Sequence, residues 1–93
     1  MATNNARPER VKLGNWMKTR REELGLTQND LAKLLNYEYY TYISAIESGK
    51  GRIPPEKYEA FAKALKMPAL DLYKIILRHE DPYGFKIAYG KER

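Results

Sequence analysis

Two apolar stripes separated by a short tyrosine-rich gap constrain this chain more than any other feature. Leu31, Leu34 and Leu35 recur at i, i+3, i+4 spacing, and Ile43 and Ile46 repeat the helical interval beyond the gap. The pattern predicts one helix over residues 28–35 and a second from about Tyr40 to Ser48, joined by Asn36-Tyr37-Glu38-Tyr39. Thr27 stands where its hydroxyl caps the first helix, with Asp30 three residues on completing an imperfect capping box. Gly49 is placed to end the second in a left-handed turn. Helices this short, joined by so short a link, bury their stripes only by packing on a shared core. The outer face of the second is then left to solvent.

Further helices complete the core. Leu13, Trp16, Met17 and Leu24 fall near one face of a helix from Val11 to Leu24, stopped by Gly25, with Trp16 expected inside. Pro55 opens a fourth helix in which Tyr58, Phe61, Ala62 and Leu65 keep i, i+3, i+4, i+7 spacing. A fifth runs from about Ala69 to Arg78 and is apolar nearly all round, so it either plugs the core or meets a partner. After Asp81-Pro82-Tyr83-Gly84, the alternation of Phe85, Ile87 and Tyr89 with Lys86 and Ala88 reads as a short strand. Residues 1–9 read as a flexible basic arm, 10–79 as one domain, and 80–93 as a C-terminal extension.

Composition narrows the chemistry. The 93 residues include no cysteine and a single histidine, His79, which excludes a disulfide framework, a thiolate nucleophile and a histidine-rich metal site. His79 reads as a favourable charge near a helix end or a spectator. No base, nucleophile and oxyanion donors group together, so neither catalysis nor a cofactor is expected. Gly49-Lys50-Gly51-Arg52 lacks the Gly-Lys-Ser/Thr ending of a phosphate-binding loop and follows a helix, which argues against nucleotide binding. With no apolar leader and no uninterrupted apolar span, a cytoplasmic protein without a membrane segment is expected.

The net charge of +5 is unevenly placed. Residues 22–49 carry Lys33 against five acids, whereas the segments on either side are basic. Any neutralisation of a polyanion must come from those flanks.

Leu13-Gly14, Arg21 four residues before Gly25, Leu26-Thr27-Gln28-x-x-Leu31-Ala32-x-x-Leu35, Ile43-Ser44-x-Ile46-Glu47-x-Gly49-Lys50 and Ala62-x-Ala64-Leu65 together resemble the Cro and lambda-repressor-like (XRE) helix-turn-helix family. The resemblance covers about two thirds of the chain by ordered spacing. It departs from the usual pattern in having Asn36 where a glycine commonly ends the second helix, and a link to Ile43 one residue longer. It implies an all-α, five-helix domain whose third helix enters the major groove of double-stranded DNA.

Carried over by position, the resemblance implies base contacts from Tyr39, Tyr40, Thr41, Ser44 and Ala45. Phosphate contacts fall to Gln28, Ser48, Lys50, Arg52 and Lys18. Arg21 and Glu47 correspond to a structural salt bridge between helices one and three. Arg7 and Arg10 on the arm are expected to reach a minor groove, best a narrow A·T-rich one. Tyr37 and Tyr42 read as packing residues, and Tyr39 and Tyr40 as surface contacts. The function expected is sequence-specific transcriptional regulation, chiefly repression, by a homodimer on a palindromic operator. Helix five and Tyr83 to Tyr89 hold the spare apolar surface for the dimer. The competing reading is an antitoxin or adaptor whose main partner is a protein such as a toxin, kept open by the acidic middle and the arginine-free recognition helix.

Overall fold

The computed structural model describes residues 8–90. Six α-helices follow in order: α1 (Pro8–Glu23), α2 (Gln28–Leu34), α3 (Thr41–Glu47), α4 (Tyr58–Ala64, entered through a 3-10 turn at Pro55–Lys57), α5 (Ala69–Glu80) and α6 (Pro82–Tyr89). There is no strand among the described residues. The first five helices match the expected order, and the all-α class that the resemblance implied is what the chain adopts.

One core holds the first five together. Leu13 and Met17 of α1 meet Leu31, Ala32 and Leu35, then Ile43 and Ile46, Ile53, Phe61, Ala62 and Leu65, and Leu72 and Ile76 of α5. Each large apolar side chain removed from water here contributes roughly 1.5–3 kcal/mol before chain entropy is subtracted. Trp16, expected in the core, is half-buried and packs against its edge. The stripe of α2 is also narrower than its spacing suggested. Leu31 and Leu35 are buried, but Leu34 is 58% exposed because it falls on the far margin of the helical arc.

Short helices need their ends satisfied. At α2 the capping box is complete: Thr27 Oγ1 accepts from the Asp30 N–H at 3.0 Å, and Asp30 accepts from the Thr27 N–H at 2.9 Å. The backbone bond from Thr27, followed by its hydroxyl, holds the Asp30 carboxyl below the usual carboxylate range. The C-terminal ends share one solution. Gly25, Asn36, Gly49 and Lys66 all take positive φ, and each is bracketed by the paired backbone bonds of a Schellman turn. Leu26 N–H reaches Arg21 C=O, Tyr37 reaches Ala32, Lys50 reaches Ala45 and Met67 reaches Ala62, at 2.9–3.1 Å. Asn36 thus performs the glycine's part. Arg20 secures the last of these turns, donating from Nε to Leu65 C=O and from Nη2 to Lys66 C=O.

The expected strand over Phe85–Tyr89 is instead helix α6. Asp81 caps it by accepting from the Gly84 N–H at 2.9 Å, and Pro82 occupies its first turn, a start signal that outweighs a short alternation. Phe85 and Tyr89, one turn apart, lie under Arg78 and Lys74 of α5 at 4.7 and 4.8 Å. The opposite face of α6 is bare: Tyr83 and Ile87 are 82% and 88% exposed.

Arg10, expected on the arm, lies in α1 with its guanidinium 3.9 Å from Glu80 at the end of α5. Among the described residues the helix runs from Pro8, whose fixed φ suits a first turn, and so includes Arg10. Arg7 lies outside the described residues.

Lys66 lacks the freedom of glycine at φ +58°. Lys66→Gly is therefore expected to stabilise the fold by about 0.5–1 kcal/mol, the left-handed cost relieved less the entropy given to the unfolded chain. A thermal midpoint at or below that of the parent would show that the turn imposes no such cost.

Candidate nucleic-acid interface

What α3 presents outward is decided by what it buries. Ile43 and Ile46 enter the core, and Glu47 turns beneath the helix to meet Arg21 of α1. Arg21 Nε donates to Glu47 Oε2 at 2.6 Å and Nη2 to Oε1 at 3.1 Å, a two-pronged pair. Nη1 donates to the Leu26 carbonyl at 2.7 Å. Gln28 at the start of α2 adds a bond from Nε2 to Glu47 Oε1 at 3.0 Å. The hydrogen bond to Glu47 raises the Arg21 pKa further and outweighs the opposing effect of burial. With side chains 7% and 4% exposed, both charges sit in the interior, and no buried side-chain nitrogen or oxygen among the described residues lacks a partner.

This pair brings α1 close enough to α3 that only glycine fits between them. A Cβ on Gly14 would collide with the backbone carbonyls of Ile46 and Glu47.

With that side committed, Thr41 and Ser48 are exposed, and Ser44 and Ala45 are partly exposed along the same ridge. Ser48 Oγ donates to its own helix at Ala45 C=O, 3.0 Å away, leaving its oxygen lone pairs turned outward as acceptors. Tyr39 and Tyr40 stand exposed at the entrance to α3. The loop after α3 doubles back: the Lys50 and Gly51 N–H groups both donate to Ala45 C=O, which sets exposed Lys50 beside the ridge, and exposed Arg52 follows in the loop near Tyr58. Lys18 is exposed on α1. Gln28 is partly committed inward, since one amide N–H serves Glu47 while its carbonyl and second N–H remain for another partner.

Tyr37 and Tyr42 behave less alike than expected. Tyr37 is half-buried against Phe61, with burial pushing its phenol above the ordinary range, and Lys57 lies 4.8 Å over its ring. Tyr42 stacks on it at 4.7 Å yet remains 55% exposed, because position 42 lies on the flank of α3. Two neighbours were not expected at this surface, Thr27 being expected only as a helix cap. Thr27 and Asn29 line an open groove with Gln28 and Tyr40, where α2 meets the entrance of α3. Their adjacency to Gln28 was the available signal.

Two short helices at a tight turn, with the second held by its buried side and bare along a polar ridge, define a DNA-binding helix-turn-helix protein. A family model described as helix-turn-helix (HTH_3, the XRE type) matches residues 17–72, which spans the end of α1 through the start of α5. The chain belongs to this XRE-type family of DNA-binding transcription regulators. No curated protein matches it. Among the described residues no helix is long and apolar enough to cross a membrane, and no group of acidic, histidine or cysteine side chains is placed to hold a metal ion.

Removing Glu47 would strand the Arg21 guanidinium in the core. Glu47→Ala is expected to cost about 3–5 kcal/mol, a large share of the stability of so small a domain. An unchanged denaturant midpoint would deny the pair this role.

Proposed function

We propose that the protein is a transcriptional repressor that binds a short palindromic duplex as a homodimer, reading the major groove with the ridge of α3. The carrying observation is the division of α3: Ile43, Ile46 and Glu47 buried, Thr41, Ser44, Ala45 and Ser48 along the other side. In the proposed complex Thr41 and Ser44 offer hydroxyls to base edges, Ala45 offers a methyl to thymine, and Tyr39 and Tyr40 pack at the groove wall. Gln28, Ser48, Lys50, Arg52 and Lys18 take phosphates on either side. A dimer seated on an operator represses by occupancy and needs no further activity of the chain.

The bare side of α6 supports a two-fold contact, because Tyr83 and Ile87 lie one turn apart on a helix that buries no residue of its own. Like symmetry in protein and duplex would set the recognition helices about 34 Å apart.

Selection of duplexes from a randomised pool at physiological salt tests the reading. A recovered palindrome with half-sites about one helical turn apart is expected, and sequence-blind recovery would overturn it. Arg52→Ala should make log K against log salt shallower by about 0.9, the contribution of one neutralised phosphate. An unaltered slope would move Arg52 off the DNA. Ile87→Glu should yield a folded monomer in light scattering, and a persisting dimer mass would place the two-fold contact elsewhere.

A further inference from the structure

The α2 stripe leaves Leu34 unused by the core, and its surroundings are unusual. It lines a groove of about 310 Å³ with Ala60 and Ala64 of α4, and Lys63 and Lys66 complete the wall. Lys66 is the residue held at φ +58°, in a turn that Arg20 clamps through the Leu65 and Lys66 carbonyls. Glycine would cost less there, and leucine would cost less inside. One exposed leucine is ordinary, but here a lysine in a disfavoured backbone conformation borders the same groove.

The charged side chains that line the groove are both cationic, Lys63 and Lys66, while Glu59, one turn before Lys63, offsets part of this. The groove is at the small end of the roughly 300–1,000 Å³ of ligand clefts, so it suits one or two side chains of a polypeptide better than a cofactor. None of its residues belongs to the ridge of α3.

We propose that the groove between α2 and α4 docks an acidic, leucine-bearing segment of a partner protein. An apolar side chain of that segment settles on Leu34, Ala60 and Ala64 while its carboxylates meet Lys63 and Lys66. Such a site recruits a second protein to a chain already seated on DNA.

The test is an NMR titration of the full chain, free and bound to its selected duplex. The probes are a synthetic peptide alternating aspartate and leucine and two controls, with lysine for aspartate and serine for leucine. Only the aspartate–leucine peptide should shift the amides of Leu34, Ala60, Ala64 and Lys66, with or without DNA. Leu34→Ser and Lys66→Gly should each weaken that peptide by about fivefold or more, the size of a lost apolar or charge-assisted contact. Lys66→Gly should do so while raising the thermal midpoint, which separates lost docking from lost folding. Unmoved groove amides, or affinities indifferent to both substitutions, would overturn the proposal. So would weaker DNA binding by Lys66→Gly, which would assign the lysine to a phosphate, or groove shifts that follow protein concentration without peptide, which would assign the groove to a second copy.

Discussion

The guanidinium of Arg21 is the point from which the arrangement of the first three helices follows. It belongs to α1, grips Glu47 at the end of α3, holds the Leu26 carbonyl in the turn before α2, and shares Glu47 with Gln28 of α2. A buried ion pair is a poor source of net stability, since desolvation of both charges consumes most of the attraction. Its value here is geometric. Ile43 and Ile46 alone would tolerate some rotation of α3 about its axis, because apolar contact is not directional. The two-pronged bond is directional, and it fixes which side of a seven-residue helix looks outward.

Such precision would be lost if the helices frayed. A seven-residue helix in isolation does not persist in water, so its ends must be held by its surroundings. The repeated Schellman turn at Gly25, Asn36, Gly49 and Lys66 does this for α1 to α4, and it also aims the chain that leaves each helix. The consequence is clearest after α3. The turn at Gly49 folds Lys50 and Gly51 onto the Ala45 carbonyl, and so brings a lysine beside a helix that has no cation of its own.

Features carried by strong local signals were legible in the sequence. The buried Leu31 and Leu35 of α2, the stripe of α3, the Thr27 cap and the order of the first five helices all follow from spacing and end residues. Features decided by competition were not. Alternation at Phe85, Ile87 and Tyr89 suggested a strand, yet Phe85 and Tyr89 are equally i and i+4 of a helix, and the Asp81-Pro82 start tips the balance. Leu34 shares its spacing with Leu31 and Leu35, but how wide an arc the core covers depends on α4, which the local pattern does not contain. Arg10 belongs to an ion pair with a residue seventy positions away, and its place could be settled only by the packing of α1 on α5. Tyr42 shows the same limit, since its stacking on Tyr37 and its exposure coexist.

The composition of the α3 ridge bears on how a protein of this class would discriminate. No arginine or lysine stands on it, so the bidentate guanidinium–guanine contact is not available from the helix itself. Hydroxyls at Thr41 and Ser44 accept from or donate to several bases and discriminate less sharply than a fork. The acidic residues of 22–49 work against close approach to a polyanion, so cations outside that segment must provide the affinity. On the proposed docking, affinity and discrimination are thereby separated: Lys18, Lys50 and Arg52 hold the duplex whatever its sequence, and the ridge selects by fit. Selection by fit depends on a fixed helix orientation more than selection by long flexible cations does, because a short hydroxyl cannot compensate for a rotation of its backbone. That requirement explains why a chain with so modest a reading surface would retain a buried ion pair that contributes little net stability.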